Sequence, residues 1–300
     1  MSRGPIFIGG LAHSGKTPVR IVLGAHPDIS MTRRTHLWDR FFGRFGDLAE
    51  PRNLERCLET MLADRGAARL HPDPGRIRHE LLGGPVTYAR LFGLFHRHHA
   101  ERLGKRRWGD QLGGVERFAD TIFAGFPSAR MIHMIRDPRV DAGRGPRRRW
   151  GAVGWETGRW LASAELADRN LRRYPGRYRV VRSESLTAAP ADTIRDLCGF
   201  LDEEFVPSME RVLATIGLRE ESDPAGDRVR ASRGSATALV FVDRYAGPGL
   251  RALDYPATTG AWLSTRDRLS FALVNRPLNR VSMTAWRLSE GRSMAKQVRS

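Results

Sequence analysis

The chain has 300 residues, a formal net charge of +17 and two cysteines. That length suits one large domain with a full core. Two cysteines exclude a disulfide framework and favour a reducing, cytoplasmic compartment, and no run approaches the ~18 apolar residues of a spanning helix.

The first strand is predicted at Ile6-Phe7-Ile8, too close to Met1 to leave room for a signal peptide. It runs directly into Gly10-Leu11-Ala12-His13-Ser14-Gly15-Lys16-Thr17, which fits the phosphate-loop pattern G-x-x-x-x-G-K-[ST] at every fixed position. Glycines let the backbone approach an anion, the N–H groups of loop and helix start point at it, and the lysine adds a full charge. Only three of the 50 basic residues are lysine: Lys16, Lys105 and Lys296. The arginines suit bidentate contact with phosphate or sulfate oxygens, but they are spread over solvated helix faces. With no nucleic-acid motif present, specific nucleic-acid binding is not expected.

Pro18, in the first helical turn, and Val19, Val22 and Leu23 mark a helix closed by His26-Pro27. Residues 31 to 47, with Arg33, Arg34, His36, Trp38, Asp39 and Arg40, have no clean period and are expected to form a site-facing loop running into a short helix. Leu54, Cys57, Leu58, Met61 and Leu62 predict a helix ending near Gly66, and Cys198 falls on a similar stripe, so both thiols belong in the core. A connection with a short helix at 77 to 82 leads to an amphipathic helix from Tyr88. Its His96, His98 and His99 are split over more than one face and are expected to be surface or interface histidines, not a metal cluster. Helical residues 114 to 124 precede a buried strand at Met131 to Ile135. A long helix at 155 to 173, a strand at 178 to 182 and a helix at 194 to 201 follow. The chain then loosens between 219 and 233, with a further helix at 262 to 275 and a basic tail.

Alternating strands and helices predict an α/β fold. It is a phosphate-loop-type three-layer α/β/α arrangement with a central parallel sheet, helical insertions and a helical C-terminal region, in a single domain over 1 to 300 with its core in 5 to 210. Ligands of such sheets bind outside the carboxyl ends of the strands, where Lys16 and Arg136 both fall. Arg136-Asp137-Pro138-Arg139, with Arg144, Arg147, Arg148 and Arg149 soon after, suits a second phosphate. Alternatively, Asp137 pairs Arg139 and the later arginines form a solvated turn.

The chain resembles the sulfotransferases that use 3′-phosphoadenosine 5′-phosphosulfate (PAPS), and within them the bacterial branch and the tyrosylprotein type. The resemblance rests on the loop and Ala25 to Ile29, K-R-R-W-G-D at 105 to 110 and F-P-S-A-R-M-I-H-M-I-R-D-P-R at 126 to 139. It continues through Y-R-V-V-R-S-E-S-L at 178 to 186 and C-G-F-L-D-E-E-F-V-P-S-M at 198 to 209. It implies that Gly10, His13, Ser14, Gly15, Lys16 and Thr17 hold the 5′-phosphosulfate, and that Arg136, Arg144 and Arg148 hold the 3′-phosphate. Arg144 replaces the family's serine. His13 stands where Arg or Lys is usual, Lys16 where Thr is common, Arg34 where the tyrosylprotein type has its glutamate base, and Gln111 where a lysine is common.

No metal is expected, and the acceptor is a small molecule or peptide with a hydroxyl or amine. Lys16 would stabilise the leaving phosphate; His36 is the first candidate for the base, with His13 and Asp39 as rivals. Two other classes stay open: a kinase or ATPase using ATP and Mg²⁺, and a catalytically degenerate nucleotide-binding protein.

Overall fold

The computed structural model describes residues 3–141, 151–216, 236–256 and 263–298. Five parallel strands form one sheet: β1 Ile6–Gly10, β2 Ile29–Arg33, β3 Arg107–Gln111, β4 Arg130–Ile135 and β5 Tyr178–Arg182. Their spatial order is β2-β3-β1-β4-β5, which places β1 at the centre. Register is fixed by pairs such as Ile6 with Gly109 and with Arg130, and Gly10 with Met134.

Side chains alternate along each strand, so the sheet buries two faces. Phe7, Met131 and Tyr178 face one core. Its other members come from α2 (Leu37–Arg40), α3 (Pro51–Ala63), α4 (Arg65–Ala68), α5 (Pro74–Leu82), α6 (Tyr88–Arg102), the 3₁₀ turn Val115–Phe118 and α7 (Ala119–Gly125). Ile6, Ile8, Ile132 and Met134 face a second core. It is closed by α1 (Lys16–Gly24), the short α10 (Ser183–Ala188), α11 (Pro190–Phe200) and α12 (Pro207–Thr215). The predicted three-layer architecture is therefore present.

After β4 come the short α8 (Pro138–Asp141) and the long α9 (Ala152–Arg173). Trp160 and Ala164 of α9 pack with Ile135 and with Val242, Ala246 and Leu250 of the helix Ala236–Ala252. A final helix, Arg276–Val298, lies along α9, and Asn279 accepts the Gly154 amide through its Oδ1 at 2.9 Å. The C-terminal region is thus helical and joined to the α/β core.

Two sequence expectations change. The stretch from Met31 is not all loop: its start belongs to β2, and only the part after Arg33 turns towards a short helix. His96 and His98 are not surface residues. His96 is fully buried, stacked on Trp108 at 4.7 Å and 8°, and His98 is buried with its Nε2 3.2 Å from Glu80.

Candidate active site

The phosphate loop leaves the centre of the sheet. Gly10 has φ +115°, and a Cβ there would lie 2.1 Å from the Met134 carbonyl oxygen, so both its conformation and its contact with β4 demand glycine. Gly15, at φ +86°, caps α1 without a side-chain hydrogen bond, which leaves the first-turn amides to an external anion. Ser14 donates to the Leu11 carbonyl at 2.8 Å. The Lys16 ammonium donates to the same carbonyl and lies 3.4 Å from Ser14 Oγ. Burial lowers the Lys16 pKa to about 8; nearby Glu116 opposes that shift and Arg159 adds to it. His13 and Thr17 are exposed on the loop, and His13 adopts φ +61°.

Glu116, which the motif does not contain, completes the loop's support. Its Oε2 accepts the Gly10 N–H at 2.9 Å, and its main-chain carbonyl accepts Asn170 Nδ2 of α9 at 2.9 Å. A Cβ at residue 9 would lie 2.3 Å from that same Oε2, so Gly9 makes room for the carboxylate. Glu116 Oε1 is 3.8 Å from Nε2 of His133, whose two ring nitrogens also meet the Tyr178 hydroxyl at 2.7 Å and Ser163 Oγ at 2.8 Å. Burial pushes the His133 pKa down, which keeps the ring neutral. A sequence signal existed: Glu116 shares a helical stripe with Ala119 and Phe123, an acid on an apolar face.

Arg136, just past β4, donates through Nη1 to the His13 carbonyl at 3.3 Å, so it stands beside the loop. Its own carbonyl is held by Trp160 Nε1 at 2.8 Å. Asp137 turns the other way. Its buried carboxylate is gripped by Arg139 through Nε at 2.9 Å and Nη2 at 2.7 Å, and its N–H donates to Glu184 at 2.9 Å. Asp137 thus pairs Arg139, as one of the two readings expects, while Arg136 stands beside the loop. Arg144 and Arg148, with Arg147 and Arg149, lie outside the described residues.

A profile of the sulfotransferase family matches residues 5–207. The chain belongs to the sulfotransferase family. Solved structures of similar proteins include the sulfotransferase domain of the Synechococcus olefin synthase, at 19% identity over 89% of this chain and 92% of that one, with a TM-score of 0.49. Sulfotransferases of Mycobacterium avium (14% identity, 85% and 78% coverage, TM-score 0.44) and Alicyclobacillus acidocaldarius (18%, 77% and 96%, 0.41) are also similar. Comparison with curated proteins gives no significant match.

The positions expected from the sequence to form the site of this sulfotransferase divide into two groups. Gly10, His13, Ser14, Gly15, Lys16 and Thr17 are brought together with Arg136 on one edge of the sheet. His36 follows β2, two strands away from β1, at φ +56°, with Nδ1 3.0 Å from Asp39 Oδ2. Among the described contacts none joins His36 to the loop. Arg34 has φ +51°, and its N–H donates to the Gln111 carbonyl at 3.2 Å. The Gln111 side chain accepts Arg20 Nε at 3.1 Å. The two departures from the family pattern at 34 and 111 thus adjoin each other, where β2 and β3 end.

Proposed function

We propose that this chain transfers the sulfuryl group of PAPS to a hydroxyl or amine of a small-molecule or peptide acceptor. The observation that carries the proposal is Arg136 beside the loop with Asp137 sequestered by Arg139. A second cation next to the phosphate loop suits a cofactor with two separate phosphates. The acidic residue that a kinase or ATPase would use for Mg²⁺ at this strand end is already spent on an ion pair.

The residues fit such a ligand. The two loop glycines have positive φ, the start of α1 has no side-chain cap, and the Lys16 ammonium beside it is desolvated, a combination that suits negative charge. PAPS, when bound, supplies the sulfuryl group. The acceptor oxygen or nitrogen forms its bond to sulfur as the bond from sulfur to the 5′-phosphate oxygen breaks, and the acceptor proton passes to a base. Lys16 and the loop amides stabilise charge on the departing phosphate, with Ser14 and Thr17 as hydroxyl donors. Arg136 holds the 3′-phosphate, assisted by Arg144 and Arg148, and no metal takes part. His36 is assigned as the base, held by Asp39 and carried by the segment that borders the acceptor side.

Calorimetry with adenosine 3′,5′-bisphosphate and with ATP plus Mg²⁺ tests the reading. Metal-independent binding of the bisphosphate is expected. Arg136→Ala should weaken it about 10- to 100-fold, as loss of one charge-assisted phosphate contact implies, and Lys16→Ala should weaken it comparably. Binding of ATP·Mg²⁺ alone would overturn it. If the bisphosphate binds but labelled sulfate reaches no acceptor, the chain is a degenerate nucleotide binder.

A further inference from the structure

The helical segment Thr265–Ser270, the π turn Phe271–Asn275 and the helix Arg276–Val298 follow one another without a break. The inner face of this long helix is set by Phe271, Asn279 and Trp286, all buried. Asn279 accepts the Gly154 N–H, and a Cβ at residue 158 of α9 would lie 3.2 Å from Trp286, so this face packs closely on α9. Leu273, Val281 and Leu288 repeat the same spacing two residues further on. Two residues are about 200° of helix rotation, so these three point away from α9. They are 74%, 68% and 58% exposed. Leu269, one turn before Leu273, extends the row, and Val274 adjoins it.

Exposed apolar side chains scattered singly are ordinary on protein surfaces. Here five of the nine large exposed hydrophobic side chains among the described residues lie on one helix. From residue 269 to residue 288 the row is about 29 Å long.

The charges along the row are mostly of one sign. Residues 264 to 300 contain eight arginines or lysines and two acids, Asp267 and Glu290. Arg266 stands nearly one turn before Leu269, and Arg280 precedes Val281. Both are exposed, and neither has a side-chain partner among the described residues. Arg287 is paired with Glu165 at 2.7 Å, and Asp267 is engaged by the Ser264 hydroxyl at 2.7 Å. An apolar row bordered by unpaired guanidinium groups fits a surface that is anionic on top and apolar beneath. A second copy of this face fits less well, because a twofold contact sets the same arginines against each other. A nucleic acid would meet the arginines and leave the leucines in water.

We infer that this helix binds the surface of an anionic lipid bilayer. It lies along the surface with Leu269, Leu273, Val281 and Leu288 turned to the acyl boundary and Arg266 and Arg280 at the headgroup phosphates. No helix among the described residues is long and apolar enough to cross a membrane, so the contact is peripheral. Guanidinium groups on long stems reach phosphates while the leucines enter the layer below. The inference is independent of the sulfuryl-transfer reading.

Sedimentation of the full chain with vesicles tests it. The vesicles are phosphatidylcholine alone, or phosphatidylcholine with about 30% phosphatidylglycerol, in roughly 0.15 M salt, which screens the long-range attraction of the +17 chain. Binding to the mixed vesicles should be at least about tenfold tighter than to the neutral ones. Leu273→Gln with Val281→Gln leaves the charge unchanged and should weaken it about tenfold or more. Arg266→Gln with Arg280→Gln should weaken it by a similar factor. Arg52→Gln with Arg69→Gln, an equal charge change near α3 and α4, should cost less than about threefold. Every substituted side chain is exposed, so each variant keeps the fold. Both native cysteines are buried, so Leu273→Cys offers an exposed thiol for an environment-sensitive dye. Its emission should shift to the blue on mixed vesicles, and the same dye on Arg52→Cys should not shift.

Failure to bind the mixed vesicles, binding untouched by the Leu273 and Val281 substitutions, or equal losses from the two arginine pairs would overturn the inference. So would a dimer in light scattering that Leu273→Gln with Val281→Gln converts to monomer, since a second copy would then cover the row.

Discussion

Glu116→Gln separates the two roles that the structure gives this carboxylate. The amide oxygen of glutamine can still accept the Gly10 N–H now received at 2.9 Å, so the loop keeps its shape, while the negative charge near Lys16 is removed. Burial already lowers Lys16 to a pKa of about 8, and Glu116 opposes that fall. Loss of an opposite charge at close range is worth about one unit or more, so the break in the variant should lie about one unit lower.

The sign follows directly. Lys16 is a cation below its pKa and is neutral above it, and an anionic ligand needs the cation. Affinity of the wild type for adenosine 3′,5′-bisphosphate should therefore be level below pH 8 and fall about tenfold per unit above it. With a one-unit shift, the protonated fraction at pH 7.5 drops from about three-quarters to about one-quarter. The ratio of wild-type to variant affinity should then rise about tenfold between pH 6 and pH 9, passing about threefold at pH 7.5. Calorimetry at four pH values measures that ratio. At pH 6 the variant should bind at least as well as the wild type, since a negative charge has left the site. A ratio constant with pH would refute the electrostatic coupling and leave Glu116 with the loop hydrogen bond alone.

Gly10→Ala should lower stability by about 2 kcal/mol or more, because φ +115° and a 2.1 Å approach to the Met134 carbonyl both oppose a side chain; an unchanged Tm would contradict the β1–β4 geometry. Asp110→Ala removes the carboxylate that accepts the Thr32 and Thr35 hydroxyls at 2.8 and 2.6 Å; Thr32 keeps the Gly109 carbonyl at 3.0 Å, while Thr35 loses its buried acceptor. A loss of about 2–4 kcal/mol in urea unfolding is expected, with a smaller loss for Asp110→Asn. His36→Ala should abolish sulfuryl transfer while preserving bisphosphate affinity; retained transfer would move the base to another residue.

The strands that apolar runs announce, β1, β4 and β5, were visible in the sequence, as was the loop between β1 and α1. The other two strands were hidden by their own chemistry. β3 is Arg107-Trp108-Gly109-Asp110-Gln111, and its charges are buried but satisfied. Arg107 donates to the Gly4 and Leu201 carbonyls at 2.6 Å and to Glu203 at 2.9 Å, while Asp110 accepts from β2 and the residues after it. Such partners come from distant parts of the chain, so no local pattern reports them. His96 was misplaced for the same reason: its partners Trp108 and Thr32 lie on other elements. Near the C-terminus, Gly247-Pro248-Gly249 has the composition of a turn, yet it belongs to the helix Ala236–Ala252. Within the site the motif contains Lys16 but not Glu116, since a loop pattern does not include the residue that braces it from the turn after β3.

The central place of β1 has an evolutionary and practical corollary. Its two neighbours deliver different groups to the loop, and they come from separate stretches of chain: the turn after β3 brings Glu116, while β4 brings Arg136. The brace at Glu116 and the cation at Arg136 can therefore be varied separately, each from its own segment of chain.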